Sequence, residues 1–134
     1  MKKDILIVSA TFYEDIAKDM QSNAEKILKQ NGYQFICIHV PGSFEVPAVI
    51  SKFSSKYLGF IALGCVIRGE TSHYDYVCAE TSRSLMDLSL KGLAIGYGIL
   101  TCDNRKQALT RKNTRAINAA QACIRMIEIF NEGN

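Results

Sequence analysis

The chain holds two histidines, and one of them, His73, closes the run Arg68-Gly69-Glu70-Thr71-Ser72-His73. An imidazole changes charge near neutral pH, so such a residue can carry protons in a reaction. Gly69 lets the backbone come close to a ligand. The N–H groups around Glu70 and Thr71 point outward where a helix begins, and the helix dipole there favours an anion such as phosphate. One glycine before a capping threonine is also a commonplace turn. The residues alone therefore leave a phosphate cradle and a plain turn about equally open.

A second segment, Pro41-Gly42-Ser43-Phe44-Glu45-Val46-Pro47, combines a turn, an aromatic ring and a carboxylate. Phe44 is suited to the core, as aromatics at helix starts usually are. Its backbone and that of Ser43 could equally offer hydrogen bonds to a polar heterocycle. Glu45 can accept hydrogen bonds from sugar-like hydroxyls, or simply complement a helix dipole. Phe12 follows small residues and could stack on a flat ring or pack at an interface or core. Arg111 has the planar fork that binds phosphate, yet most helix arginines are only solvated, and spacing alone favours that reading. His39 lies inside a strand pattern and reads as structural. No His/Cys/Asp/Glu cluster has metal-ligand spacing, and there is neither a GxGxxG nor a P-loop lysine motif.

These residues must be positioned by the elements between them. Ile5–Val8 is a continuous apolar run, as in a strand covered on both faces. Asp15 to Asn31 carries Ile16, Met20, Ala24, Ile27 and Leu28 at helical spacing. Gly32 stops that helix, and Phe35–Val40 predicts a second strand. Phe44 to Ser54 predicts a short helix that tolerates Pro47 near its first turn. Gly59–Ile67 is a third strand. Thr71 or Ser72 can cap a helix running to about Leu90, and Gly92 marks its exit. Leu93–Leu100 is a fourth strand. Thr101 or Asp103 can cap a last helical region that reaches Phe130, with Ala116, Ala119, Ala120, Cys123, Ile127 and Phe130 as its apolar stripe. The order βαβαβαβα predicts parallel strands with helices on both faces of one sheet. Ligands in such sheets bind beyond the carboxyl ends of the strands, where 10–13, 41–45, 68–73 and 101–103 converge.

A chain of 134 residues fits one domain spanning 1–134. The formal net charge is +3, without a dense basic tract, which argues against nucleic-acid binding. Five cysteines occur without a CxxC pair; Cys37, Cys65 and Cys78 read as small buried hydrophobes in a reducing compartment. The apolar patch after Met1 is too short for a signal-peptide core, and the longest apolar run, 57–67, is about half a membrane span. A cytoplasmic protein with no membrane partner is expected.

Three blocks then carry a resemblance. Val40-Pro41-Gly42-Ser43-Phe44-Glu45-Val46-Pro47 resembles the VPGxFE(I/V)P signature of the lumazine synthase family. Residues Ala62 to Val77, reading ALGCVIRGETSHYDYV, are similar to its ALGxVIRGxTxH(F/Y)DYV run. Gly96-Tyr97-Gly98-Ile99-Leu100-Thr101 with Gln107-Ala108 is similar to its third block. The resemblance covers almost the whole chain and is most specific in the middle block. It implies a flavodoxin-like three-layer α/β sandwich with strand order 2-1-3-4, assembled as pentamers or multiples of them, with active sites between neighbouring subunits. It implies condensation of 5-amino-6-(D-ribitylamino)uracil with 3,4-dihydroxy-2-butanone 4-phosphate to 6,7-dimethyl-8-ribityllumazine, the penultimate step of riboflavin biosynthesis, with no metal or organic cofactor.

By position, the resemblance makes His73 the proton-transfer residue and puts Phe12 on the pyrimidine ring. Ser43, Phe44 and Glu45 would hold the uracil and ribityl portions. Cys65, Val66, Ile67 and Tyr97 would line the ring pocket, and Glu70, Thr71 and Arg111 would hold phosphate. The chain departs from the family pattern after Arg111. A Gly-rich loop leading to Asn-Lys-Gly is replaced by the shorter Lys112-Asn113-Thr114-Arg115-Ala116, which leaves Lys112 or Arg115 in place of the family lysine. The acidic residue that often orients the histidine is matched by Asn118, and Arg-Phe-Asn near the first strand is matched by Thr11-Phe12-Tyr13. An alternative of another class is a non-catalytic lumazine- or flavin-binding oligomer of the same fold. The archaeal-type riboflavin synthases share the fold, but the intact 68–73 block argues against them.

Overall fold

A computed structural model describes residues 1–132, so the last two residues of the expected 1–134 domain lie outside the described part. In chain order the elements are β1 (Lys3–Ala10), α1 (Glu14–Gln30), β2 (Phe35–Val40), a 3₁₀ turn (Ser43–Glu45), α2 (Val46–Lys52), β3 (Tyr57–Ile67), α3 (His73–Leu90), β4 (Ala94–Cys102) and α4 (Arg105–Glu132). The four strands form one parallel sheet in the order β2-β1-β3-β4. This is the expected order. It is the order the family resemblance implies, while the parallel pairing follows from joining consecutive strands by helical crossovers.

The central strands are apolar on both faces because both are covered. Ile5 and Ile7 of β1 point into a core shared with Ile16, Met20 and Leu28 of α1 and Ala116, Ala119 and Ala120 of α4. Leu6 and Val8 point the other way, into a core shared with Val46 and Ile50 of α2 and Leu85 of α3. The result is the three-layer flavodoxin-like sandwich. Gly32 and Gly92 leave α1 and α3 with φ of 79° and 97°, a region that side chains with a Cβ rarely adopt.

Several local expectations change. The helix expected from Phe44 begins as a 3₁₀ turn, and regular α-helix starts only at Val46, with Pro47 in the first turn where its missing N–H is harmless. Neither Thr101 nor Asp103 caps α4. Thr101 still belongs to β4, and the Asp103 carboxylate accepts from Arg68 Nε at 3.2 Å. Asn104 does the capping instead, its Oδ1 accepting from the Gln107 N–H at 2.9 Å, while Gln107 Oε1 accepts from the Asp103 N–H at 2.8 Å. The segment after Arg111 is helical, because α4 runs unbroken for 28 residues. Its apolar stripe is buried as far as Ile127, but Phe130, one turn on, is exposed. His39 is on the exposed edge strand, where its Nε2 shares a 2.7 Å hydrogen bond with Gln21 Oε1. Among the described residues, no helix is long and apolar enough to cross a membrane.

All five cysteines are free, but the buried ones are Cys65, Cys102 and Cys123. Cys37 and Cys78 are only half-buried. Cys37 sits on the edge strand β2, which no further strand covers. Burial pushes the Cys123 thiol up to about 12, so little thiolate exists at neutral pH. Alkylation of the native protein at mildly alkaline pH is expected to leave Cys123 unmodified until the chain is unfolded. Mass spectrometry of the labelled peptides checks this; equal labelling of native and denatured Cys123 would contradict its burial between α4 and β4.

Candidate active site

The chain leaves β1 to one side, toward β2, and later crosses to the other side to build β3 and β4. The carboxyl ends of β1 and β3 therefore diverge into a crevice, the usual ligand position in open α/β sheets. A cavity of about 520 Å³ lies there. Three of the four expected connections feed it; the fourth, 101–103 after β4, does not reach it, because Asp103 is held by Arg68. Phe12 and Tyr13 come from the turn after β1, and Gly42, Ser43, Phe44 and Glu45 from the turn after β2. Cys65, Val66 and Ile67 come from the end of β3. His73, Tyr76, Val77 and Glu80 come from the first turns of α3.

The rim is aromatic. Phe12 is 73% exposed and Phe44 59% exposed, so neither packs in the core. Phe12 is braced edge-on against Tyr13, with centroids 4.9 Å apart. Its turn is pinned to β2, because the Thr11 N–H donates to the Val40 carbonyl at 2.9 Å. Burial raises the Tyr13 phenol above its ordinary pKa, with the neighbouring Cys65 adding to the effect, so it is a neutral wall.

Beneath the rim the site is polar at selected points. Ser43 is buried, and its hydroxyl makes no hydrogen bond among the described residues. It fills a notch that Gly64 leaves, since a Cβ there would stand 2.4 Å from Ser43 Oγ. Glu45 curls back, its Oε1 accepting from the Gly42 N–H at 3.0 Å, which fixes the carboxylate beside the cavity. Burial, with Cys102 as a lesser cause, pushes the Cys65 thiol up to about 12. Cys65 is thus a wall and not a nucleophile.

His73 is the first residue of α3 and is exposed. Its backbone N–H donates to Thr71 Oγ1 at 3.3 Å, and its ring makes no hydrogen bond among the described residues. Arg68 braces the same turn. Its Nη1 reaches Asp75 and its Nε reaches Asp103, each at 3.2 Å, and its guanidinium lies 4.3 Å from the centre of the Tyr74 ring.

The remaining expected residues lie outside this cavity. Glu70 and Thr71 are exposed on the turn just before His73. Tyr97 is on β4, beside Ala62 in register, and is half-exposed; burial raises its phenol, with Cys78 as the next cause, while Arg115 opposes. Arg111 and Arg115 lie one helical turn apart on α4, exposed, and both lower the Cys102 thiol against the larger effect of burial. Lys112 faces elsewhere, pairing with Asp19 of α1, its side chain largely buried. Asn118 is on α4, in the layer across the sheet from α3, and makes no hydrogen bond to His73. One chain therefore gathers the aromatic cavity with His73, while Tyr97, Arg111 and Arg115 stay outside its lining.

Tyr13, Tyr76, Val77 and Glu80 line the cavity and were not singled out from the sequence. A signal was present for three of them: with His73 they fall at i, i+3, i+4 and i+7, one face of a helix. Among the described residues no group of three His, Cys, Asp or Glu side chains can hold a metal ion.

Fold and site together define a flavodoxin-like α/β protein with an aromatic-rimmed cavity beyond the strand ends. Comparison with known proteins narrows this. The family model described as 6,7-dimethyl-8-ribityllumazine synthase matches residues 2–131. A protein of that name from Bartonella bacilliformis is 43% identical, over 93% of this chain and 88% of its own length. One from Agrobacterium fabrum is 42% identical over 96% and 95%. One from Zymomonas mobilis is 42% identical over 92% and 94%. The chain belongs to the 6,7-dimethyl-8-ribityllumazine synthase family, and it is an enzyme of the transferase class.

Proposed function

We propose that this chain, as one domain over 1–134, condenses 5-amino-6-(D-ribitylamino)uracil with 3,4-dihydroxy-2-butanone 4-phosphate. The products are 6,7-dimethyl-8-ribityllumazine, phosphate and water. The observation that carries the reading is the gathering of Phe12, Ser43–Glu45, Cys65–Ile67 and His73, distant in sequence, around one cavity. Phe12 stacks on the pyrimidine. The 43–45 turn bonds its polar edge and the ribityl hydroxyls through its backbone and the exposed Glu45 carboxylate. His73 moves protons between the amine, the carbonyl and the departing phosphate. Holding two reactants in one cavity supplies much of the acceleration, since their freedom is lost on binding instead of at the barrier.

Glu70, Thr71 and Arg111 are assigned to the phosphate, yet Arg111, exposed on α4, does not line the cavity of its own chain. That separation supports a closed ring of subunits, a pentamer or a multiple of it, in which each cavity is completed by a neighbour's Tyr97, Arg111 and Arg115. Arg115, not Lys112, takes the place of the family lysine, because it shares the Arg111 face while Lys112 is tied to Asp19. A cytoplasmic setting fits a small-molecule reaction with no membrane or nucleic-acid partner.

The test is direct. Purified protein given both substrates is expected to form lumazine, followed by its absorbance or fluorescence; folded protein that forms no more than buffer refutes the proposal. His73→Ala is expected to lower kcat about 10- to 100-fold. General acid–base groups contribute about 10²- to 10⁴-fold, and a solvated ring with no orienting carboxylate belongs at the low end. Unchanged kcat would remove His73 from proton transfer. Binding of lumazine without turnover is a second reading. It is favoured by Asn118, an amide where the family often has an acid, and tight product binding by an inactive protein would establish it.

A further inference from the structure

The turn of residues 69–72 has little to hold it. All four residues are exposed, and a Cβ placed on Gly69 would meet nothing within 4 Å. Among the described residues the turn makes only short-range bonds, from the His73 N–H to Thr71 Oγ1 and from the Asp75 and Tyr76 N–H groups to the Ser72 carbonyl. Arg68, which precedes the turn, and Asp75, which follows it, are joined by an ion pair of 3.2 Å. The same guanidinium bonds Asp103 on the neighbouring connection and lies over the Tyr74 ring, while the Arg68 N–H donates to the Cys102 carbonyl at 2.8 Å. One planar group thus joins both ends of the turn to the end of β4.

We propose that Arg68 is a positioning residue that clamps the 69–72 turn closed, holding its backbone and His73 in place for the phosphate-bearing substrate. This inference rests on the reading of the chain as a lumazine synthase. The three side chains are 46%, 61% and 65% exposed, and ion pairs that open to water add little to fold stability. Their geometric effect is larger. A fork can hold two carboxylates at fixed angles, which a lysine cannot. Substrate contact is not required of Arg68; it acts through the turn.

The test is a double-mutant cycle with Arg68→Gln and Asp75→Asn. KM for each substrate, kcat, and the affinity for inorganic phosphate by titration calorimetry are measured on the assembled enzyme. Each single variant is expected to weaken phosphate binding and raise KM for the butanone phosphate about 10-fold. The double variant should be little worse than Arg68→Gln alone, because that change already removes the link to Asp75. KM for the pyrimidine and the unfolding temperature should hardly move, and Arg68→Lys should recover only part of the loss. Arg125→Gln, which breaks a surface pair with Glu128 and Glu132 far along α4, serves as the control and should change nothing. Active wild-type enzyme with unchanged phosphate affinity in both single variants overturns the clamp, as do fully additive losses. A wild-type protein that neither turns over nor binds phosphate overturns the underlying reading, and the clamp with it.

Discussion

Gly96→Ala is expected to be the most damaging single-atom change in the fold. A Cβ at Gly96 would stand 1.9 Å from the carbonyl oxygen of Ala119 and 2.8 Å from its carbon. Those atoms are backbone, so no side chain can swing aside. The contact exists because α4 lies unusually close to β4, with Ala116, Ala119, Ala120 and Cys123 facing the sheet. Admitting a methyl group requires α4 to lift along its length. Overpacking costs about 1–3 kcal/mol where side chains can adjust, and about 3 kcal/mol or more is expected here. For a domain of this size that is a fall in Tm on the order of 10 °C. Thermal unfolding followed by circular dichroism measures it. Gly69→Ala is the matched control, since open space surrounds it and its stability should stay near wild type. A Gly96→Ala protein that melts with the wild type would mean that helix and sheet are further apart than described.

Arg111→Ala is expected to have the largest effect on activity. Its one hydrogen bond among the described residues is a long contact of 3.4 Å to the Gln107 carbonyl, so its removal should leave the unfolding temperature unchanged. If it binds the substrate phosphate, charge-assisted bonds of about 1.5–3 kcal/mol are lost. That corresponds to KM for the butanone phosphate rising about 10- to 150-fold, with the pyrimidine KM less affected. Arg111→Lys should fall between the two, because an ammonium keeps the charge without the fork. This arrangement adds a sharper test. His73 lines the cavity of its own chain and Arg111 does not. When the His73→Ala and Arg111→Ala variants are unfolded together and co-assembled, some cavities should receive an intact histidine from one subunit and an intact arginine from the next. Recovered activity is the expected result. Mixed assemblies no more active than the separate variants would place both residues in one subunit's own site.

Much of this protein was readable along the chain. Apolar runs of strand length alternating with amphipathic stretches predict a parallel sheet with two helical layers, and that pattern depends only on which residues avoid water. Phe35–Val40 and the glycine exits from α1 and α3 are local matters and fall where the sequence puts them. Connections of a parallel sheet gather beyond the strand ends, so most of the cavity was legible, but of the four expected there only those after β1, β2 and β3 line it, and 101–103 does not. Boundaries were less so. Asp103 reads as a helix cap, but it is drawn off by Arg68, 35 positions away, and Asn104 caps instead. Cys37 reads as buried because its run is apolar, but only the sheet order makes β2 an edge.

The sequence by itself determined the residue types, the local periods and the short turns, because those rest on interactions within about one helical turn. Only the tertiary structure decided which residues share a wall. It brought Tyr76, Val77 and Glu80 beside His73 at the cavity, turned Lys112 toward Asp19, and left Tyr97, Arg111 and Arg115 outside the cavity lining. The reason is that a helix has several faces of nearly equal polarity. Which face meets the sheet, and which meets a ligand or a neighbouring copy, is settled by packing against distant segments.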